Sequence, residues 1–242
     1  MKRFPDEFEA MLSPRGLRVL AGRDELCGVL AQGLRFVSAT GLLDERRSRE
    51  ALRLLEGTLR AGLRLMEEPI PPESISEMTR NYSERLPKTV RVRTVSMASA
   101  RSKGSRLAEE IGLTAMLRST SFHALAEALG GYRLRQKRGT QVLCYLANDY
   151  SGPHNDHHPE ERDAAKGYVD LHLSFANAAV DHQWLVYEHA GHLSQIRSVA
   201  TLGGVSCYRL PIWHYTTPLA AKSGRLDEAR RWVLLGTFLD RA

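Results

Sequence analysis

His154-Asn155-Asp156 lies near the middle of this 242-residue chain, and His214 follows 58 positions after Asp156 (214 − 156). Two imidazoles and one carboxylate are the protein ligands of a non-haem Fe(II) site, and they leave one face of the metal open. Because residues i and i+2 of a strand point to the same face, His154 and Asp156 can hold one metal ion from a single strand end. The gap to His214 is what several strands and their turns require, so the third ligand is predicted on a distant strand that returns alongside.

The sequence on both sides of these residues favours strands. Gln141–Asp149 is apolar and β-prone, and it breaks at the turn-rich stretch Asn148–Pro153, directly before the first histidine. Gly203–Pro211 is typical of a turn, a strand and a stop, and Arg231–Phe238 is typical of another strand with a cation at its entrance. This context supports a pattern that nine histidines could otherwise produce by chance.

Taken together, the segment from about Gly139 to Asp240 resembles the double-stranded β-helix core of the Fe(II)/2-oxoglutarate-dependent oxygenases, particularly the prolyl-hydroxylase-like branch. The residues that carry the resemblance are, in chain order, Tyr145-Leu146-Ala147-Asn148, His154-Asn155-Asp156, Gly203-Gly204-Val205, Pro211-Ile212-Trp213-His214, Thr217-Pro218-Leu219 and Arg231. The resemblance implies an α+β fold with a jelly-roll or cupin-like core buttressed by N-terminal helices. We expect an oxygenase domain over residues 81–242 and a helical N-terminal region over residues 1–80, either separate or part of the same domain.

The resemblance also implies a cofactor, a co-substrate and the residues that hold them. Fe(II) would be bound by His154, Asp156 and His214, which are at once the metal ligands and the catalytic residues. The co-substrate 2-oxoglutarate has a remote carboxylate that needs a fixed positive charge, and the guanidinium of Arg231 would supply a matching fork. Tyr145 would donate a phenolic hydrogen bond to 2-oxoglutarate, and Thr237 would place a hydroxyl on the same wall as Arg231.

The activity that the resemblance implies is a dioxygenase reaction. Such an enzyme hydroxylates a C–H bond of an amino-acid, peptidyl or other small-molecule substrate with O2 and releases succinate and CO2. The halogenating relatives lack the carboxylate ligand, so the presence of Asp156 favours hydroxylation or a related oxidation.

Two features depart from the family pattern. Arg231 lies 17 positions after His214 (231 − 214), which is longer than the common spacing, and Lys222 and Arg225 lie closer. Either of these two cations could anchor the carboxylate instead, although their surroundings are typical of a polar loop. Gln183–Glu188 stands where a Gly-Gly-x-Leu segment is common, so the strand order there is left open.

Two other kinds of protein fit the same sequence. One is a cupin-like metal enzyme that uses the three ligands without 2-oxoglutarate. The other is a non-catalytic binding protein whose basic surface is the working part, since the net charge is +6. Charge alone predicts only non-specific affinity for nucleic acid, and no nucleic-acid motif accompanies the basic runs. The excess charge lies in four runs: Arg46-Arg47-Ser48-Arg49, Arg91-Val92-Arg93, Arg101-Ser102-Lys103 and Arg133-Leu134-Arg135-Gln136-Lys137-Arg138.

Composition limits the class of protein. No apolar run approaches the roughly 20 residues of a membrane span, and the N-terminal residues lack the apolar stretch of a secretory signal. Cys27, Cys144 and Cys207 are odd in number and scattered, which argues against a disulfide framework and a zinc knuckle. We therefore expect a cytoplasmic protein in reducing surroundings.

The N-terminal half is predicted to be mostly helical. Arg49–Glu68 carries apolar residues at helical spacing and should end at the prolines of 69–72. Ser121–Leu129 should form a short helix between a Ser119-Thr120 cap and Gly130-Gly131. Thr89–Val95 alternates and is predicted to be a strand, and Tyr132–Arg138 is predicted to be an edge strand.

The remaining histidines receive less specific predictions. His157 and His158 fall in a charged stretch that is typical of a solvated loop. His172 shares a strand face with Asp170 and Ser174 and is predicted to point outward, away from the metal. Trp213, next to a proposed ligand, is also predicted to point away from it.

Overall fold

The computed structural model describes residues 2–70, 89–97, 99–135, 139–156, 167–196 and 198–241. Five α-helices precede the central strands or lie between the first ones: α1 Pro14–Leu20, α2 Glu45–Thr58, α3 Lys103–Glu110, α4 Leu113–Arg118 and α5 Thr120–Gly130. Within the described ranges, none of the helices has both the length and the apolar character needed to cross a membrane. The three cysteines, Cys27, Cys144 and Cys207, are free thiols.

Side-chain caps explain where two of these helices begin. The carboxylate of Asp44 accepts a hydrogen bond from the Arg47 amide at the start of α2, and the Ser119 hydroxyl accepts one from the Phe122 amide at the start of α5. Such caps satisfy amides that have no partner inside the helix. Helix α5 ends at Gly131, which adopts the left-handed conformation with φ 73°. The predicted helix at Ser121–Leu129 is therefore confirmed.

The predicted helix over Arg49–Glu68 is only partly correct. Helix α2 stops at Thr58, a 3-10 turn covers Leu59–Gly62, and Leu63–Pro69 forms strand β2. Strand β2 pairs in antiparallel register with strand β3, Thr89–Val95, along its whole length. The apolar spacing of this segment suits a helix, but pairing with a distant strand prevails over local pattern. Strand β1, Phe36–Ala39, is a further strand in a region predicted to be helical.

The strands form one large curled antiparallel sheet. Ten further strands are β4 Gly139–Leu146, β5 Tyr150–His154, β6 Tyr168–Ala176, β7 Val180–His182, β8 Leu185–His189, β9 His192–Ile196, β10 Leu202–Leu210, β11 His214–Thr216, β12 Ala220–Ala221 and β13 Arg230–Leu239. The eleven-stranded sheet has the order β1-β10-β6-β13-β4-β3-β5-β11-β8-β9, with β2 added on β3, and β12 pairs with β7 in a separate ribbon.

This order describes a sheet folded into two walls. One wall consists of β10, β6, β13 and β4, the other of β5, β11, β8 and β9, and β3 joins them by pairing with both β4 and β5. The arrangement confirms the α+β class and the double-stranded β-helix. It also resolves the strand order that the sequence left open, because β8 pairs with β11 on one side and β9 on the other. For the predicted edge strand at Tyr132–Arg138, the described part contains one isolated bridge, Leu134 to Asp240.

The outer face of the first wall packs against the helices. Trp232, Leu234 and Phe238 of β13 are fully buried in one hydrophobic cluster with side chains of the N-terminal region. Residues that contribute to it from that region include Phe4, Phe8, Leu42 and Leu55. Because successive residues of a strand alternate between faces, the other face of β13 is left for the space between the two walls.

Replacing Trp232 by alanine should lower the free energy of unfolding by about 3–5 kcal/mol, as for other buried aromatic residues. Trp232 is fully buried, and its indole N–H donates to the Glu56 carboxylate over 2.9 Å. Denaturant unfolding followed by circular dichroism measures the change. Leu226→Ala, at a side chain that is 57% exposed, serves as the control and should change stability by less than about 0.5 kcal/mol. A loss at Trp232 no larger than that of the control would contradict the packing described here.

Candidate metal centre

Two adjacent strands of the second wall bring the predicted histidines together. Strand β11 pairs antiparallel with β5, and His214 is the direct partner of His154. Their imidazole rings are 4.3 Å apart between centroids. The third residue, Asp156, follows the end of β5 with φ 55°, a left-handed conformation that aspartate adopts more readily than most residues. The turn after β5 thus directs the carboxylate back toward the two rings.

The three side chains converge on one point. One carboxylate oxygen of Asp156 lies 3.4 Å from Nε2 of His154, and the other lies 3.4 Å from Nε2 of His214. One donor atom from each residue lies within 4.8 Å of the other two. Among the residues that the structure describes, this is the one such group of three His, Cys, Asp or Glu side chains. Two imidazoles and a carboxylate form the ligand set of non-haem Fe(II) sites.

The hydrogen bonds of the rings leave both Nε2 atoms available as ligands. Nδ1 of His154 bonds the Gly152 carbonyl over 2.6 Å, and Nδ1 of His214 bonds the Ile212 carbonyl over 2.8 Å. A carbonyl oxygen only accepts, so each Nδ1 carries the proton and each Nε2 presents its lone pair. Burial lowers the pKa of His214 to about 4, with a further contribution from the charge of His154. The group thus presents two imidazole nitrogens and a carboxylate, which suits a divalent metal.

A cavity of about 540 Å³ lies between the two walls and contains this group. Five alternate residues of β13 line the cavity, as the strand periodicity predicts: Arg231, Val233, Leu235, Thr237 and Leu239. Tyr145 on the neighbouring strand β4 lines it as well, and it is the register partner of Arg231. The predicted metal ligands and the predicted co-substrate contacts thus share one cavity.

Arg231 is a buried cation in this cavity, only 3% exposed. Its Nε donates to the Ser174 hydroxyl over 3.0 Å, and Nη1 donates to the side-chain oxygen of Gln183 over 2.8 Å. Among the described residues, no carboxylate lies within ion-pair distance of the guanidinium, and Nη2 has no hydrogen-bond partner. Burial lowers the pKa of Arg231, but a guanidinium stays protonated at physiological pH. Buried charges in proteins are as a rule paired, so this guanidinium is suited to bind an anion in the cavity.

Gln183 is a site residue that the sequence analysis missed. It is completely buried, and its amide nitrogen donates to the carbonyls of Thr217 and Asp149, over 2.9 and 3.3 Å. These bonds turn its oxygen toward Arg231. No sequence signal identifies it, because it precedes strand β8 in the segment that departs from the family pattern.

The alternative anchors lie elsewhere. Lys222 is exposed and donates to the Ala178 carbonyl over 2.8 Å, and Arg225 pairs with Glu228 at the surface. Neither residue lines the cavity. Thr237 does line it, but it lies six positions from Arg231 along β13 (237 − 231), a separation of roughly 20 Å. The role of Thr237 as a co-substrate contact stays a prediction, and proximity to Arg231 favours Tyr145 instead.

Tyr145 stands beside the guanidinium of Arg231, which lies 5.4 Å from the centre of its ring. Burial raises the pKa of Tyr145, although Arg231 and a hydrogen bond with Thr216 lower it. The phenol therefore remains protonated at neutral pH and can donate a hydrogen bond into the cavity.

One histidine prediction is wrong. His172 was expected to point outward, but it lines the cavity together with Asp170. On strand β6 the apolar neighbours Leu171 and Leu173 face the buried helix side instead, so the polar residues face the cavity. His157 and His158 lie outside the described residues. Trp213 is partly exposed and does not line the cavity.

Two of the basic runs are largely paired with acidic side chains. Arg47 and Arg49 of helix α2 form ion pairs with Glu50 and Glu45. Arg93 pairs with the buried Asp149, and Arg91 lies 3.6 Å from the same carboxylate. These contacts reduce the charge that the two runs present to a polyanion.

Comparison with known proteins identifies the fold. No protein-family model matches the chain, and no curated protein matches it by sequence. Solved structures do match. A prolyl hydroxylase from Trichoplax adhaerens, in complex with a hypoxia inducible factor oxygen degradation domain peptide fragment, covers 96% of each chain with a TM-score of 0.53 at 13% identity. The carbocyclase SnoK from nogalamycin biosynthesis, a non-heme alpha ketoglutarate dependent enzyme, has a TM-score of 0.57 at 13% identity over 91% of this chain and 86% of its own.

A third match is an oxidoreductase of the 2OG-Fe(II) oxygenase family from Burkholderia pseudomallei, with a TM-score of 0.51 at 16% identity over 89% of this chain and 88% of its own. At these identities the comparisons establish a shared fold. The chain has the double-stranded β-helix fold of the 2-oxoglutarate–Fe(II) oxygenases over most of its length.

Proposed function

We propose that this protein is an Fe(II)- and 2-oxoglutarate-dependent dioxygenase that hydroxylates a C–H bond of an amino-acid, peptidyl or other small-molecule substrate. The observation that carries the proposal is the pairing of two features in one cavity. These are the converging group His154, Asp156 and His214, and the buried guanidinium of Arg231, which has no acidic partner among the described residues. The first suits Fe(II), and the second suits a dianionic co-substrate.

Each residue has a definite role in this proposal. His154, Asp156 and His214 would hold the metal, with the two imidazoles oriented by the carbonyls of Gly152 and Ile212. Bound Fe(II) supplies the redox chemistry that couples O2 and 2-oxoglutarate to oxidation of the substrate, with release of succinate and CO2. Arg231 would bind the remote carboxylate of 2-oxoglutarate through its unpartnered Nη2 and the second N–H of Nη1, which together form the two-point fork.

The environment of Arg231 strengthens its interaction with an anion. Ser174, Gln183 and Tyr145 hold the guanidinium without neutralising it, since all three are uncharged. A charge held in a buried site attracts a counter-ion more strongly than one in water. The phenol of Tyr145 would donate a second hydrogen bond to the same carboxylate, and the apolar side chains of Val233 and Leu235 exclude water from the rest of the wall.

An anaerobic titration of Fe(II)-loaded protein with 2-oxoglutarate tests this proposal. We expect a saturable visible metal-to-ligand charge-transfer band in the wild type and no band in His154→Ala. Bound iron without a band would instead support a cupin-like metal enzyme that does not use 2-oxoglutarate. Failure to bind iron at all would support a non-catalytic protein on the same fold.

Gln183→Glu should weaken 2-oxoglutarate binding more than Gln183→Ala does. The new carboxylate would sit 2.8 Å from Nη1 of Arg231 and neutralise the guanidinium, whereas alanine only removes one hydrogen bond. We expect a loss of about tenfold for alanine and a further loss of about tenfold for glutamate, in line with the energies of hydrogen bonds to charged groups. The dissociation constant from the charge-transfer titration measures both. Equal affinities in the two variants would show that the charge of Arg231 does not bind the co-substrate.

A further inference from the structure

Strand β6 carries a second polar group in the cavity, formed by Asp170 and His172. Asp170 is only 7% exposed, and both side chains line the cavity. Nε2 of His172 lies 3.8 Å from the nearer carboxylate oxygen of Asp170. Among the residues that the structure describes, the other oxygen of Asp170 and Nε2 of His172 are buried without a hydrogen-bond partner. Buried polar atoms in proteins are almost always bonded, so two beside each other at a cavity wall mark a place where a ligand group or an ordered water would bind.

The position of Asp170 separates it from the proposed co-substrate anchor. Asp170 is the register partner of Thr237, near the end of β13 that is opposite Arg231. The ring of Tyr208 connects the pair with the metal ligands, since its centre lies 4.4 Å from that of His172 and 5.6 Å from that of His214. A group bound at Asp170 would therefore lie on the metal side of the cavity and away from the arginine.

The charge balance of the cavity specifies the kind of ligand. Within the described part of the chain, three side chains with a carboxyl or guanidinium group line the cavity: Asp156, Asp170 and Arg231. This step rests on the proposed function. Two positive charges on Fe(II) and one on Arg231 balance the charge of Asp156 and the two charges of 2-oxoglutarate. The carboxylate of Asp170, which has His172 and Thr237 as neighbours, is then without a permanently charged partner among the described residues.

We propose that Asp170 and His172 bind a cationic amine group of the substrate, which makes a primary or secondary amine the substrate class. A protonated amine donates hydrogen bonds to the free carboxylate oxygen and to the imidazole Nε2, and it brings the missing positive charge. Tyr208 and Tyr168 also line the cavity beside this pair. Burial raises the pKa of the Asp170 carboxyl, and a bound ammonium group would favour its ionised form.

The test compares two probes of nearly equal shape, benzylamine and benzyl alcohol, on the full chain loaded anaerobically with Fe(II) and 2-oxoglutarate. Ligand-detected NMR or calorimetry gives the two dissociation constants, and their ratio is the result. In the wild type we expect benzylamine to bind about tenfold or more tightly than the alcohol, as for hydrogen bonds to a charged group. Asp170→Asn, which keeps the shape and removes the charge, should bring the ratio close to one.

Two further variants complete the design. Asp227→Asn removes the same charge from an exposed loop residue outside the cavity and should leave the ratio unchanged. His172→Gln keeps a polar group and should lower the ratio only in part, and it serves as the second test if Asp170→Asn does not fold. No amine preference in the wild type, or a preference that survives in Asp170→Asn, overturns the proposal.

The charge-transfer band of the same samples separates this proposal from the one on which it rests. A band without amine preference overturns the amine subsite alone and leaves the dioxygenase in place. Amine preference that depends on Asp170, without a band, supports the subsite and overturns the use of 2-oxoglutarate.

Discussion

Replacing His214 by alanine is expected to weaken Fe(II) binding by more than about 100-fold, because loss of a ligand should exceed the tenfold to 100-fold cost of losing its supporting hydrogen bond. His214 is one of three converging donors, and its Nε2 is fixed by the bond from Nδ1 to the Ile212 carbonyl. The variant leaves two ligands, which cannot define the same site. Anaerobic equilibrium dialysis with Fe(II) measures the affinity directly, independently of any catalytic assay.

The matched control for this experiment is His182→Ala. His182 is a histidine of strand β7 that pairs with Asp181 near the surface and does not line the cavity. Its removal should leave iron affinity unchanged, which excludes adventitious binding by histidines in general. Thermal unfolding of both variants without metal checks that the fold is retained. If folded His214→Ala bound Fe(II) with wild-type affinity, the metal site would not include β11.

Arg231→Leu is expected to weaken 2-oxoglutarate binding by roughly 100-fold while iron affinity is retained, because truncating one partner of a buried charge pair typically costs 2–5 kcal/mol. Among the described residues, Arg231 is the one arginine or lysine that lines the cavity, and it is not one of the three converging donors. Leucine fills similar space without donors. The midpoint of the charge-transfer titration reports the co-substrate, and bound iron is quantified on the same sample.

Arg231→Lys should fall between the wild type and Arg231→Leu, since an ammonium keeps the charge but lacks the two-point fork. Lys222→Ala and Arg225→Ala are the controls, because both cations lie outside the cavity and should leave the titration unchanged. If Arg231→Leu kept its affinity for 2-oxoglutarate and either control lost it, the residue that binds the remote carboxylate would lie in the loop before β13. Full activity of Arg231→Leu without added 2-oxoglutarate would favour the cupin-like enzyme.

Much of the fold was predictable because the strands of the core carry their pattern locally. The strand at Thr89–Val95 and those that flank the metal residues are β-branched or apolar runs bounded by turns, and the structure confirms all of them. The i, i+2 spacing of His154 and Asp156 placed two predicted ligands at one strand end. The structure brings His214 beside them, as the returning strand was expected to do.

The errors have a common cause, which is that local spacing does not reveal the partner of a segment. Residues 63–68 continue a helical stripe in sequence, yet they form β2 because β3 pairs with them. His172 alternates with leucines, but alternation alone does not tell which face of a strand is inside. Helices cover the leucine side of β6, so the polar side faces the cavity.

The sequence by itself determined the chemistry that is available: two imidazoles, a carboxylate and a guanidinium, carried on strands in a fixed order. Their types and spacings are local properties, and strand periodicity is enough to assign His154 and Asp156 to a common face. Only the tertiary structure decided that Gln183 orients Arg231, that Lys222 and Arg225 stay outside, and that Asp170 enters the cavity. These facts depend on contacts between residues far apart in the chain, whose energies come from burial and pairing that no single segment contains.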